Sequence, residues 1–374
     1  MPNPYDPQNP ANPQYFGGRK EMLKISNERL EKAVRQRQSG GILAYGYRGS
    51  GKTSLLRKIA SIVEPDESAP NNVISTYRRL SRETNETELY QVLVEDTIDK
   101  VNRRKNLIQK LISNYKAKSI AVPSILEIEI ENINDIAGQT PYHKFKTILN
   151  NINNADYLLI QIDDADYLTK NAIGELKTIS EEQGKTPIVL VISGGIEFEQ
   201  RLVNEYSPVS RIFSGASFNL GAFKREETQE VLENPLANED TRWSGEGIDK
   251  VHELSGGYPY LVQCIAHASY EEHTQIGKDK VTGQLQNALS LGKPWLSHTI
   301  ETASDEDIRC FLRVINLNKL KFTSAEMTSA GVASPYIGRL VKLKIIDQIS
   351  RGRYQLVQPP IIAYYHALER GIEV

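Results

Sequence analysis

Two rhythms alternate through the first 220 residues. Short uninterrupted apolar runs, Ile42-Leu43-Ala44-Tyr45, Val73 to Tyr77, Tyr157 to Ile162 and Ile188 to Ile192, have the length and continuity of strands buried on both faces of a parallel sheet. Between them apolar positions recur at helical spacing. Met22, Ile25, Leu30, Ala33 and Val34 predict a helix over 21–38 that Ser39-Gly40-Gly41 stops, and Leu55, Leu56, Ile59 and Ile62 predict another over 52–63. Residues 86–114 read as one long helix. Leu126 to Glu131 alternates strictly, as a strand wet on one face does, and is placed as an inserted edge element. Strand alternating with helix is the rhythm of an α/β domain.

After Phe218-Asn219-Leu220 the strand signal stops. Helical pattern then runs through 226–236, 248–254, 260–270 and 281–291, which predicts a helical lid or bundle. From Asp305 the order is helix, a short helix opening near Thr323, a third helix over 334–343, then two strand-like stretches flanking Arg351-Gly352-Arg353, an order that suits a winged helix-turn-helix. Prolines at 2, 4, 7, 10 and 13 block helix at the start and predict an extended arm or strap. The expected division is an arm over 1–20, an α/β core over 21–222 with an insertion near 100–132, a lid over 223–300 and a winged helix over 301–374.

Composition narrows the classes. With 374 residues, 39% hydrophobic and 25% charged, the chain can bury large cores and is too long for one ordinary core. A formal charge of -2 excludes a uniformly basic nucleic-acid coat. Two cysteines, Cys264 and Cys310, form neither a CxxC pair nor a cluster with histidine, which argues against a disulfide framework or a zinc site. The start lacks the pattern of a secretory signal and the longest apolar run is far too short to span a bilayer, so the expectation is a cytoplasmic protein with no membrane partner.

The chemistry concentrates where the first strand meets its helix. Gly46-Tyr47-Arg48-Gly49-Ser50-Gly51-Lys52-Thr53 fits G-x-x-x-x-G-K-[ST] at every required position. Glycines let main-chain N–H groups turn inward around phosphates, and the following helix offers its positive end to the same anion. ATP is the expected ligand, with Gly46, Arg48, Gly49, Ser50, Gly51, Lys52, Thr53 and Ser54 around its phosphates. Lys52 would reach the β- and γ-phosphates and the Thr53 hydroxyl would ligate Mg²⁺. About a hundred residues on, Leu158 to Ile162 ends in Asp163-Asp164. Asp163 would hold the Mg²⁺ and Asp164 would orient and deprotonate the attacking water; a solvated turn or helix cap is the other reading of such a pair. Ser193, after the Ile188–Ile192 run, is the candidate polar sensor, though Ser193-Gly194-Gly195 also reads as a plain turn. Arg211 is the candidate for stabilising transition-state charge, in cis or across a subunit boundary, with Arg201 weaker and a surface salt bridge the alternative.

With these parts in place the chain resembles the AAA+ superfamily, and within it the STAND signalling ATPases and the archaeal and eukaryotic replication-initiator ATPases. Phe16-Gly17-Gly18-Arg19 is similar to their Phe-x-Gly-Arg box, which implies that Phe16 and Arg19 lie near the adenine. Asp163-Asp164 is similar to the STAND form of the acidic strand end. Gly256-Gly257-Tyr258-Pro259 resembles the Gly-x-Pro signature, implying that Pro259 approaches the base; on its own Pro259 reads as the first turn of a helix after a glycine stop. Three departures stand out: Lys20 follows the box arginine where an acid is usual, Asp164 replaces the commoner Glu, and Tyr77-Arg78 stands where relatives often carry an asparagine. The shorter acid implies slow hydrolysis. The resemblance implies an ATP-controlled switch. Alternatives are an ATP-gated binder of double-stranded DNA, for which Arg339, Lys342, Lys344, Arg351, Arg353 and Arg370 supply a local basic excess, or a regulatory subunit acting on a separate effector protein or as a homo-oligomer.

Overall fold

The computed structural model describes residues 3–63, 72–82, 84–114, 127–128, 139–153, 155–181, 186–205 and 207–373. The chain divides into two compact units, one made of residues 19–221 and the other of 1–18 together with 222–374. The arm therefore groups with the C-terminal half, where the sequence pattern set it apart.

The first unit is built on five strands: β1 (Gly40–Tyr45), β2 (Val73–Arg79), β3 (Tyr157–Asp163), β4 (Ile188–Gly194) and β5 (Ser217–Asn219). They lie side by side in the order β2-β3-β4-β1-β5, every neighbour parallel. The central strands β3 and β4 are buried at every position, which is why their sequences are continuous apolar runs without alternation. Helices α1 (Lys20–Gln36), α2 (Lys52–Val63), α3 (Glu86–Asn114), α4 (Pro141–Asn151), α5 (Lys170–Glu181) and α6 (Ile196–Glu205) connect them. In α2, Leu55, Leu56, Ile59 and Val63 form the buried stripe, each contributing roughly 2 kcal/mol by leaving water. The arrangement is the α/β P-loop NTPase fold. Of the alternating stretch 126–131, Glu127 and Ile128 pair antiparallel with Ile152 and Asn153; the rest lies outside the described residues, as does much of the expected 100–132 insertion.

The second unit is mostly helical. It contains α7 (Arg225–Glu233), α8 (Gly245–Ser255), α9 (Pro259–Ser269) and α10 (Leu285–Leu296), then α11 (Asp305–Ile315), α12 (Ser324–Ser329), α13 (Ser334–Lys342) and α14 (Pro360–Glu369). Two helix starts are fixed by reciprocal side-chain and main-chain bonds, Ser304 with Asp307 and Thr323 with Glu326. Three short strands, β6 (Lys321–Thr323), β7 (Ile346–Ser350) and β8 (Arg353–Leu356), form an antiparallel sheet in the order β6-β8-β7. Strand β6 and helix α14 are additions to the sequence expectation. Among the described residues no helix is long and apolar enough to cross a membrane.

Candidate functional site

A parallel sheet puts the C-terminal ends of its strands on one edge, and here that edge gathers the chemistry. The loop leaves β1 at Gly46, whose N–H donates to the Gly194 carbonyl at the end of β4 (3.2 Å), while the Leu220 N–H donates to the Tyr45 carbonyl (2.7 Å). Gly49 and Gly51 turn through the left-handed region, at φ +82° and +91°, and so aim their neighbours' amides into the loop. Helix α2 begins at Lys52, so its first-turn amides, which by geometry have no intrahelical acceptor, face the same space.

Lys52 curls back so that its Nζ donates to the carbonyls of Gly46 (2.9 Å) and Tyr47 (3.1 Å). Burial pushes its pKa down, and Asp164, Asp163 and Asp166 act against that shift. The Ser50 hydroxyl, buried within the loop, has no hydrogen-bond partner. A loop with an orphaned hydroxyl and an ammonium group resting on its own carbonyls fits a triphosphate, which would satisfy both.

Next to the loop stands Asp163, fully buried at the end of β3. Thr53 donates its hydroxyl to Asp163 Oδ2 at 2.7 Å, across 110 residues of sequence. Tyr77 donates to the same oxygen at 3.0 Å. On the other side Ser193 donates to Oδ1, as does the Asp164 N–H at 3.2 Å. The Tyr77 hydroxyl is pushed well above the ordinary phenol range, first by burial and then by the charge of Asp163, so it remains a donor. Thr53 and Asp163 are hard oxygen groups in reach of one cation, a donor set suited to Mg²⁺.

Asp164 has a different setting. Its backbone is left-handed, φ +55° and ψ +45°, and its carboxylate is partly exposed. Arg79, at the end of β2, donates through Nε to Asp164 Oδ2 at 2.7 Å. The β2–β3 register pairs Arg79 with Asp163, so alternate residues of β2 address both acids. Neither Tyr77 nor Arg79 was singled out by sequence as a partner of these carboxylates; position relative to an unpaired strand carries no local signal.

The remaining candidates separate clearly. Asp166 accepts the Gly195 N–H with both oxygens (3.0 and 2.9 Å), ahead of helix α6. Arg201 donates to the carbonyls of Asp166 (2.9 Å) and Leu168 (3.0 Å), so its guanidinium is occupied in holding that turn. Arg211 is exposed and is not brought to Thr53 and Asp163. The turn it begins packs against Gly41 through Ile212 and Phe213, at the start of β1, whereas the loop follows that strand's other end. Four strand residues separate the two ends, on the order of 13 Å. In cis, Arg211 lies on the far edge of the sheet. Arg19 is buried and donates to the Gly221 carbonyl. Phe16 and Pro259 belong to the other unit: the Phe16 carbonyl accepts from Asn234 (3.1 Å), and Pro259 is buried in the first turn of α9.

Among the basic residues of the tail, Arg339 and Arg370 are engaged. Arg339 grips the buried Asp307 with two nitrogens, and Arg370 binds the Ala303 carbonyl (2.7 Å) and Asp305 (3.2 Å). Lys342, Lys344, Arg351 and Arg353 are exposed. The basic excess read from sequence is therefore smaller on the surface than in the count.

Residues 35–202, which contain the loop, both acids and Ser193, match the model of the family described as AAA domain. No curated protein matches the chain. Two solved structures are similar along nearly the whole length. Cdc6p from Pyrobaculum aerophilum is 13% identical, with 96% of this chain and 94% of that chain covered and a TM-score of 0.51. The ORC2 protein of Aeropyrum pernix, in ADPNP–ADP complexes, is 13% identical, with 95% and 93% covered and a TM-score of 0.54. At such identity the likeness shows the fold alone. Residues 35–202 are thus similar to an AAA domain, on an α/β P-loop NTPase fold.

Proposed function

We propose that the protein binds ATP with Mg²⁺ at the Gly46–Thr53 loop, hydrolyses it slowly and acts as a nucleotide-controlled switch read out by the second unit. One observation carries the reading: the Thr53 hydroxyl and the Asp163 carboxylate, at the ends of two different strand–loop segments, meet at 2.7 Å beside the phosphate loop. The amides of the loop and Lys52 would hold the phosphates, with Arg48 and Ser54 at their flanks. Bound Mg²⁺, held by Thr53 and Asp163, would supply neutralising charge at the β- and γ-phosphate oxygens. Ser193 keeps Asp163 oriented, and Asp164, engaged here by Arg79, would take a proton from water.

The test is calorimetric titration with ATP and Mg²⁺. Wild type should bind, turn over well below roughly 1 s⁻¹, and show hydrogen-exchange protection over 222–374 that differs between ATP and ADP. Lys52→Ala should weaken binding at least about a hundredfold, as expected when a charge-assisted phosphate interaction is removed. Absence of binding heat in wild type overturns the reading.

A second reading, gated binding of double-stranded DNA, has one observation in its favour. Taken as a winged helix, residues 305–356 place Lys342 and Lys344 at the end of the recognition helix α13 and Arg351 and Arg353 at the wing, all exposed. Replacing Arg351 and Arg353 by Ala should reduce the salt slope of binding by about 1 for each phosphate left without its arginine. No retardation of duplex DNA at low salt would dismiss it.

A further inference from the structure

Of residues 3–15, Tyr5 is the one that is buried, and it is fully so. Its hydroxyl donates to the Leu232 carbonyl (2.5 Å) and accepts from Trp243 Nε1 (2.8 Å). Its ring meets Trp243 and Tyr270 edge to face, with centroids 6.2 and 6.0 Å away. Recognition extends to the main chain on either side. His267 Nδ1 donates to the Tyr5 carbonyl (2.6 Å), and the Asn3 side chain donates to the His267 carbonyl (2.9 Å). Beyond Tyr5 the polar side chains of the arm bond locally: Asp6 to Gln8 and Asn9, and Asn12 to Gln14. The arm meets the helical unit again where Pro13–Tyr15 lies against Asn234–Leu236, at Phe16, and at Gly18, whose N–H donates to Glu230 (3.1 Å).

This is the form of a peptide complex in which ligand and receptor share one chain. A single aromatic anchor fills a pocket whose polar end supplies both an acceptor and a donor, and flanking main-chain groups fix the direction. The flanking residues suit a ligand that costs little to order. Pro4 fixes its own φ, and Asp6 closes a turn at Pro7 and Gln8 by accepting from the Gln8 and Asn9 amides, so few conformations are lost on binding. The anchorage is also compact. One buried tyrosine with four hydrogen bonds from residues 3–5 is small beside the core of a unit this size, and the span from Asp6 to Tyr15 contributes no further buried side chain.

We propose that the pocket formed by Leu232, Trp243, His267 and Tyr270 is a binding site for an Asn-Pro-Tyr peptide, filled in cis by the protein's own arm and open to the same segment of a second copy in trans. It is separate from the nucleotide reading and does not depend on it. Arm exchange between copies would then be a route to association that needs no new surface.

The test uses full-length protein carrying Tyr5→Ala and a fluorescently labelled peptide of residues 3–15. Removing the anchor from the arm should empty the pocket. The labelled peptide should then bind with a dissociation constant on the order of 10–1000 µM, at least about tenfold tighter than to wild type, where the tethered arm competes. A peptide with the same Tyr5→Ala change should not bind either protein. Trp243 emission, read in a Trp295→Phe background, should return toward its wild-type position as the peptide saturates. Equal binding to both proteins, no binding to the variant, or equal binding of the altered peptide overturns the proposal. Loss of cooperative unfolding in Tyr5→Ala also overturns it, because the ring is then a part of the core and no ligand. Tyr5→Phe, which keeps the ring and drops the two hydroxyl bonds, should leave the fold intact and admit the peptide weakly.

Discussion

Among the described residues each unit buries one aspartate completely, and the two are opposites. Asp307, at the start of α11, is neutralised: Arg339 binds it with Nε at 2.7 Å and with a second nitrogen, and Ser304 adds its hydroxyl (2.7 Å) and its N–H (2.8 Å). The guanidinium, more than any other neighbour, holds the Asp307 carboxyl well below the usual carboxylate range. Asp163 receives as many hydrogen bonds, yet its donors are three hydroxyls and one amide, all neutral. Among the described residues no ion pair meets its charge. A buried carboxylate with an arginine ties two helices together. One held in place by neutral donors alone is the arrangement that the proposed Mg²⁺ would complete.

Substitution by asparagine should split the pair. Asp163→Asn should weaken Mg²⁺-dependent ATP binding at least about a hundredfold in calorimetry, while the melting temperature stays level or rises because an unpaired buried charge is gone. Asp307→Asn should leave ATP binding alone and destabilise the second unit by about 2 kcal/mol in urea melts. That is less than the ~3–5 kcal/mol of a wholly buried pair, because Arg339 is half exposed. If both variants lower stability equally, the contrast is wrong.

The pH dependence sharpens the same contrast. A carboxyl whose folded pKa is depressed adds stability above its unfolded value, near 3.9, and loses it as pH falls through that value toward the folded one. The stability gap between wild type and Asp307→Asn should therefore be full above about pH 5 and shrink below about pH 4. A gap that stays constant to pH 3 would mean that the arginine does not set it.

The smallest effect belongs to Asp164. Its pair with Arg79 is exposed, with 65% of the arginine side chain open to solvent, and such pairs contribute about 1 kcal/mol at most. Arg79→Ala should raise the hydrolysis rate, by no more than roughly fivefold, and remove any stimulation by added salt. A tenfold fall in steady-state rate would instead assign Arg79 a direct part in charge stabilisation.

What the sequence made legible was what is contiguous. The loop and its helix lie within twenty residues, and the strand runs announce their burial through continuity; α2 and α3 begin and end where the periodicity places them. Contacts set by register were not legible. Tyr77 and Arg79 find their acids 86 and 85 residues away, because β2 happens to neighbour β3. Charge counting failed for Arg339 and Arg370, since a count cannot see an ion pair. Helix α14 escaped because Ile361, Ile362, Ala363, Tyr365, His366 and Ala367 are all buried, leaving no polar face to give a period, and Pro359-Pro360 looks like a breaker. The three residues of β6 are too few to show alternation.

The left-handed backbone at Asp164 reaches beyond its own turn. L-residues enter that region at a steric penalty, and aspartate tolerates it better than glutamate does. Asp164→Glu, the change that would lengthen the acid toward its target, therefore asks the main chain to leave its present conformation first. The choice of acid is made by the bend in the peptide, and the reach of the side chain follows from it.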